Sequence, residues 1–169
     1  QTNSRGQNQR TSYYENGQVK KITDLAINAE TYYEYDAAGN RTRERYIKGG
    51  TTYQDTIVNF DALSRITKAS DIRYTLTYGY DANGNRRRAQ SSYYDVSNTQ
   101  KNVDNWYLYD GMNRITLSQG VLSGSQIVIN SSQGIQLAYD GAGNRRQATS
   151  YQGGSLVTES YNYDGNNRL

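Results

Sequence analysis

The chain has no cysteine, no histidine and no proline. Each absence removes a class of structure or chemistry. Without cysteine there is no disulfide scaffold. Without cysteine and histidine there is no Ser-His-Asp or Cys-His nucleophile, no zinc site with sulfur or imidazole ligands, and no haem held through these residues. No apolar run approaches the length of a membrane span, and no charged start followed by an apolar stretch marks a signal peptide. Apolar residues make up only 34% of the 169, and the mean hydropathy is -0.97. In a featureless chain that composition would signal disorder.

Two features argue against disorder. Proline is absent, and there are 18 tyrosines against one Phe and one Trp. Tyrosine favours pleated, half-buried surfaces, whereas disordered chains are poor in aromatics. The polar tip lets its ring pack while the hydroxyl stays wet. The net charge is +3, from 19 cations interleaved with 16 acids. That is a mixed surface rather than the basic stripe of a nucleic-acid binder.

A short phrase recurs along the chain: aromatic, any residue, aromatic, Asp, a small turn, then Arg. Repeats outrank every other signal, because they decide the fold. One copy is Tyr33-Glu34-Tyr35-Asp36-Ala37-Ala38-Gly39-Asn40-Arg41, and another is Tyr78-Gly79-Tyr80-Asp81-Ala82-Asn83-Gly84-Asn85-Arg86. Further copies hold Phe60, Asp61 and Arg65; Tyr107, Tyr109, Asp110 and Arg114; Tyr139, Asp140, Gly143, Asn144 and Arg145; and Tyr161, Tyr163, Asp164 and Arg168. Two turn types alternate. Asp36, Asp81 and Asp140 lead into Gly-Asn-Arg, whereas Asp61, Asp110 and Asp164 lead to Arg-Ile or Arg-Leu. Tyr13-Tyr14-Glu15-Asn16-Gly17 reads as a degenerate copy, with Glu15 in the Asp place and a shorter turn.

Each copy reads as strand, turn, strand. Tyr74, Leu76, Tyr78 and Tyr80 alternate along one face, as do Ile135, Leu137 and Tyr139, because strand side chains point to opposite faces in turn. Arg41, Arg43 and Arg45 read as a charged row. An Asp opening a turn accepts hydrogen bonds from backbone N–H groups two or three residues on, and Gly and Asn tolerate positive φ. The arginines after the Gly-Asn turns, Arg41, Arg86 and Arg145, read as occupying one place, from which the guanidinium reaches an Asp, a carbonyl or a Tyr of a neighbouring copy. Residues 90–104 are expected as the longest and most mobile loop, and the Ser-rich stretches 118–126 and 130–134 as surface loops. Residues 1–11 read as a frayed end or partial repeat, and 12–169 as an array of six to seven copies cut from a longer protein. The expected fold is all-β: tandem hairpins in a curled antiparallel sheet, with sticky terminal edges prone to self-association.

The copies YEYDAAGNR, YGYDANGNR, LAYDGAGNR and YLYDGMNRI closely resemble the YD repeats of the RHS family, over about residues 12–169. That family includes bacterial polymorphic toxins, insecticidal toxin complexes, wall-associated proteins and teneurins. The resemblance implies a strip of a spiral β-shell, non-enzymatic, enclosing a toxin or other cargo polypeptide, and secreted or at the bacterial cell surface. Family shells often end in an Asp-Pro core motif that cleaves itself. With no proline here, no autoproteolytic residue carries over. Neighbouring repeats are the expected partners, and a surface adhesion or glycan-binding module is the alternative.

The duller explanation covers the other candidates. Equivalent aspartates in a repeat are turn formers, since an acid and nucleophile pair needs unlike environments. Asp81-x-Asn83-Gly84-Asn85 is faintly like a calcium loop, but Arg86 and Ser92 stand where an EF-hand wants Gly and Glu. The Arg86-Arg87-Arg88 cluster beside tyrosines is more readily paired within the sheet than with nucleic acid. No catalytic residue, metal ligand or cofactor is implied.

Overall fold

A computed structural model describes residues 8–166 and 168. Among these there are fourteen strands and no helix. They are β1 (Gln9–Tyr13), β2 (Val19–Asp24), β3 (Ala29–Tyr35), β4 (Arg41–Lys48), β5 (Thr51–Phe60), β6 (Ile66–Asp71), β7 (Tyr74–Tyr80), β8 (Arg86–Tyr94), β9 (Gln100–Tyr109), β10 (Ile115–Ser123), β11 (Gln126–Val128), β12 (Ile135–Tyr139), β13 (Arg145–Gln152) and β14 (Ser155–Ser160). The polar start is thus described from Asn8 on, and from Gln9 it is strand; residues 1–7 lie outside the described residues, as does Leu169.

The chain forms two compact units. One holds the described residues up to Thr77 together with Ser92–Lys101; the other holds Tyr78–Ser91 and Asn102 onward. In the first, β1 to β7 pair antiparallel in chain order. Lys21, Tyr32, Arg45 and Asp55 are directly cross-paired on β2 to β5, so they share one face. Val58, Ala69 and Leu76 are cross-paired on the opposite face. The first face thus carries a charged row around Tyr32, and the second carries an apolar row. In the second unit β9, β10, β12, β13 and β14 pair in that order, and β11 hangs from β10.

Neither unit has a thick core. Among the described residues only Ala29, Tyr107, Leu117 and Ala148 are buried hydrophobics, and no large side chain is fully buried. All seven residues of β7 are half-buried, so the expected contrast between a drier and a wetter face is absent there. It survives in β12, where exposure alternates. Cohesion must come from the backbone ladder and from cross-strand side-chain pairs, each a small contribution repeated many times.

One excursion breaks the single layer. In the second unit Val121, Leu122 and Ser123 of β10 pair with β11. Ile127, Val128 and Ile129 then line a small cavity with Leu108 and Leu117. Gly120 is the hinge of this packing. A Cβ there would run into Leu117 Cδ2 and press on Ile127 Cγ2 and the Val128 carbonyl.

Two loop expectations are corrected. Residues 90–94 and 100–104 are strand, leaving only 95–99 as the connection. Residues 118–123 are likewise strand in β10. Polar side chains do not exclude a strand when both sheet faces stay wet.

Candidate functional site

The recurrent turn is the most highly organised feature of the chain, and it is built the same way each time. The N–H of Asp36 donates to the carbonyl of Asn40, and the N–H of Gly39 donates back to the carbonyl of Asp36. The carboxylate then fills the loop. Its Oδ1 accepts from the N–H of Ala38 and of Asn40, and its Oδ2 accepts from the Asn40 side-chain amide at 3.0 Å. Asp81 and Asp140 repeat this with Asn85 and Asn144. The fourth residue of the turn must take positive φ: +89° at Gly39, +88° at Gly84 and +92° at Gly143. Glycine alone adopts that angle without a Cβ penalty.

The second turn type uses the same frame with a different plug. Ser64 and Asn113 take the positive φ. Arg65, Arg114 and Arg168 occupy the place held by Asn in the first type, each donating Nε to Oδ2 of its own Asp at 2.7, 2.7 and 2.8 Å. The two turn types therefore place their arginines differently: these three each pair with the Asp of their own copy, and Arg114 also reaches the Asp140 carbonyl of the next copy. A chelate closed over four residues needs less ordering than a distant partner.

The other arginines sit one residue further on. In the first unit a register shift between Glu34 and Tyr35 pairs Tyr35 with Arg41 but Glu34 with Arg43. Arg41 therefore turns to the tyrosine face, over the Tyr33 ring at 5.4 Å, and does not form a row with Arg43 and Arg45. Such bulges re-aim side chains by one residue. In the second unit Arg86 lies between Tyr78 and Tyr107, at 5.5 and 5.3 Å from the ring centres, and Arg145 lies 4.6 Å from that of Tyr161. These cation–π contacts cover the rings that a thicker protein would bury.

Links between copies come from the turn tips. Asn40 also donates to Ser64 Oγ at 3.1 Å, and Asn85 to Asn113 Oδ1 at 2.8 Å. The hydroxyls of Tyr109 and Tyr139 donate to the carbonyls of Arg86 and Ile115 in the preceding copy. Phe60 pairs with Ile66 across the Asp61 turn. Tyr80 and Tyr163 stand directly before Asp81 and Asp164.

All six turn carboxylates are held below the usual carboxylate range. The Asn40 side-chain hydrogen bond is the main cause in Asp36. In Asp61, Asp110, Asp140 and Asp164 the main cause is the backbone N–H four residues on. In Asp81 loss of water contact opposes the shift, and the hydrogen bonds from Asn85 outweigh it. None is raised, as a general acid would need. The calcium-like Asp81 has both oxygens engaged by its own turn, and no cluster of three or more metal-binding side chains occurs among the described residues.

Several participants escape sequence inspection. Asp95 opens a full turn of the same kind, with Oδ1 accepting from Ser97 and Thr99 and Asn98 at φ +56°. Thr99 in the Arg place hides it. In the degenerate first copy Tyr14, not Glu15, holds the Asp place. Tyr14 bonds Gln18 and Gly17 as Asp36 bonds Asn40 and Gly39, so the turn is not shorter. Two cross-strand ion pairs were also missed: Arg43 to Asp55 (2.7 and 2.6 Å) and Arg88 to Asp104 (2.8 and 2.6 Å). Their signal is an Arg seven residues after Asp36 and Asp81, and an Asp six before Asp61 and Asp110.

No known family profile matches the chain, and no curated protein does. Solved structures do. A complex of TcdB2-TccC3 with Cdc42 matches with a TM-score of 0.57 at 14% identity, over 92% of this chain and 11% of that one. TcdB2-TccC3 itself matches at 0.57 and 15%, over 92% and 11%. The Photorhabdus luminescens Tc holotoxin pore matches at 0.56 and 15%, over 92% and 10%. The chain thus spans about a tenth of the length of these toxin chains, and what it shares with that stretch of them is the fold.

Proposed function

We propose that this chain is a structural segment of an RHS/YD-repeat protein, a strip of shell wall that encloses a toxin or other cargo polypeptide. The observation that carries the reading is the closed Asp turn, rebuilt at copy after copy on strands without a thick core. Its residues fix hairpin spacing and register instead of meeting a substrate. Tyr, Asp, Gly, Asn and Arg at the motif positions are structural residues in this reading. The fold shared with Tc toxin chains supports it. Among the described residues β1 pairs only with β2 and β14 only with β13. Those edges would take neighbouring repeats, in a protein secreted by or displayed on a bacterium.

Limited proteolysis of the whole natural chain tests the enclosure. A shell segment should leave an enclosed polypeptide uncut while exposed linkers are cleaved, until denaturant opens the wall. Digestion of every other part at the rate of an unfolded chain, before this segment opens, sinks the reading.

A further inference from the structure

In the second unit Arg114 seals the seam between two copies. It donates to Asp110 Oδ2 at 2.7 Å and to the Asp140 carbonyl at 3.5 Å, and its guanidinium carbon lies 4.6 Å from the centre of the Tyr139 ring. The first copy has the same frame with other side chains. Tyr14 stands in the place of Asp110, Gln18 in that of Arg114, and Tyr35 in that of Tyr139. Gln18 reaches the next copy's turn as Arg114 does, but it donates to the carbonyl of Gly39, at 3.3 Å, rather than to that of the turn Asp, and it carries no charge.

A cleft of about 790 Å³ opens at this place in the first unit. That is within the ordinary range for a ligand site. Its aromatic wall is the Tyr14 and Tyr35 pair, centred 6.2 Å apart at 89°, with Tyr13 at the mouth. Glu15 and Glu34 line it against one cation, Lys20, beside Asp36, whose two oxygens are engaged by its own turn. Glu15 makes no ion pair among the described residues, and Glu34 has only a 3.5 Å contact with Arg43. Lys20 lies 5.3 Å from the Tyr14 ring centre, so this ring already accepts a cation.

We propose that this cleft binds a guanidinium group supplied by a ligand, in the place that Arg114 fills from within the chain. Guanidinium is the fitting cation. It stacks flat on aromatic faces and offers paired donors to a carboxylate, whereas an ammonium is a compact, strongly hydrated point charge. The group can come from a free small molecule or from an arginine side chain of a polypeptide, and both share this chemistry. The site is independent of whether the chain is a shell wall.

Calorimetric titration of the whole chain tests it, with N-acetyl-arginine amide, a tetra-arginine peptide and N-acetyl-lysine amide as probes. Both arginine probes should saturate, and the lysine probe should bind about fivefold or more weakly. Tighter binding of the peptide than of the single arginine assigns the source to a polypeptide; equal binding per site assigns it to a small molecule. Glu15→Gln and Tyr13→Ala lie at the exposed mouth and should each weaken binding several-fold, on the order of an exposed charge or cation–π contact. Gln18→Arg should abolish binding by filling the site from inside, with circular dichroism unchanged. No saturation, or full binding by a folded Gln18→Arg chain, overturns the proposal. Equal affinity for lysine and arginine overturns it too.

Discussion

The side-chain amide of Asn85 donates to Oδ1 of Asn113 at 2.8 Å, joining the tip of one turn to the tip of the next. Asn85 also holds Asp81 in its own turn, so one amide serves both the turn and the spacing between turns. Asn85→Ala should cost more than Asn113→Asp, which keeps the acceptor. A double-mutant cycle of Asn85→Ala with Asn113→Ala should show coupling of about 0.5–1 kcal/mol, the usual worth of an exposed neutral hydrogen bond. Strict additivity in thermal or urea melts would deny the link.

Acid should loosen the chain. The turn aspartates have folded pKa values below their unfolded ones. Their stabilisation is therefore complete above the ordinary carboxylate pKa of about 4, and it is lost as the pH falls through the lower folded values. The melting temperature followed by circular dichroism should decline below about pH 4. An Asp61→Asn, Asp110→Asn chain should melt lower at neutral pH and lose less on acidification. A melting temperature flat from neutral to pH 2 would contradict the turn geometry.

Gly39→Ala and Gly143→Ala force a Cβ into φ +89° and +92°. Each should destabilise by about 1–2 kcal/mol, the cost of the left-handed region for an L-residue. Gly111→Ala, at a glycine outside the positive-φ set and with open space around its Cβ, is the control and should be near neutral. Equal losses at all three would point to something other than backbone strain.

The small second layer should respond as a core does. Leu117 is 5% exposed beneath the β10–β11 excursion. Leu117→Ala should cost about 2–4 kcal/mol through lost burial and the cavity left behind. Gly120→Ala should cost about 1–3 kcal/mol through overpacking. Urea denaturation followed by Trp106 fluorescence reads both, and wild-type midpoints would show that this layer is not packed.

Salt should separate the two kinds of arginine. The Arg43–Asp55 pair is bidentate but about 30% exposed. Asp55→Asn should lower stability by only about 0.2–1 kcal/mol at low ionic strength, shrinking in 1 M salt. A loss unchanged by salt would mean that geometry, not charge, holds the pair.

The hairpin array, the strand–turn–strand unit and the two turn types can all be read from residue order. They are local: Asp, Gly, Asn and Arg within five residues carry the whole hydrogen-bond pattern of a turn. The same locality explains why the copy at Asp95 was hidden, since its backbone frame persists after its Arg is lost. Face and partner are not local. Whether Arg41 joins Arg43 or Tyr33 depends on a bulge set by pairing with β3, and whether Arg88 meets Asp104 depends on which strands lie side by side. The β10–β11 excursion depends on a close approach at Gly120 that polar flanks do not announce. Sequence by itself determined the unit and its repetition. The tertiary structure decided which face each charge occupies, because a one-residue register shift moves a side chain to the other face of the sheet.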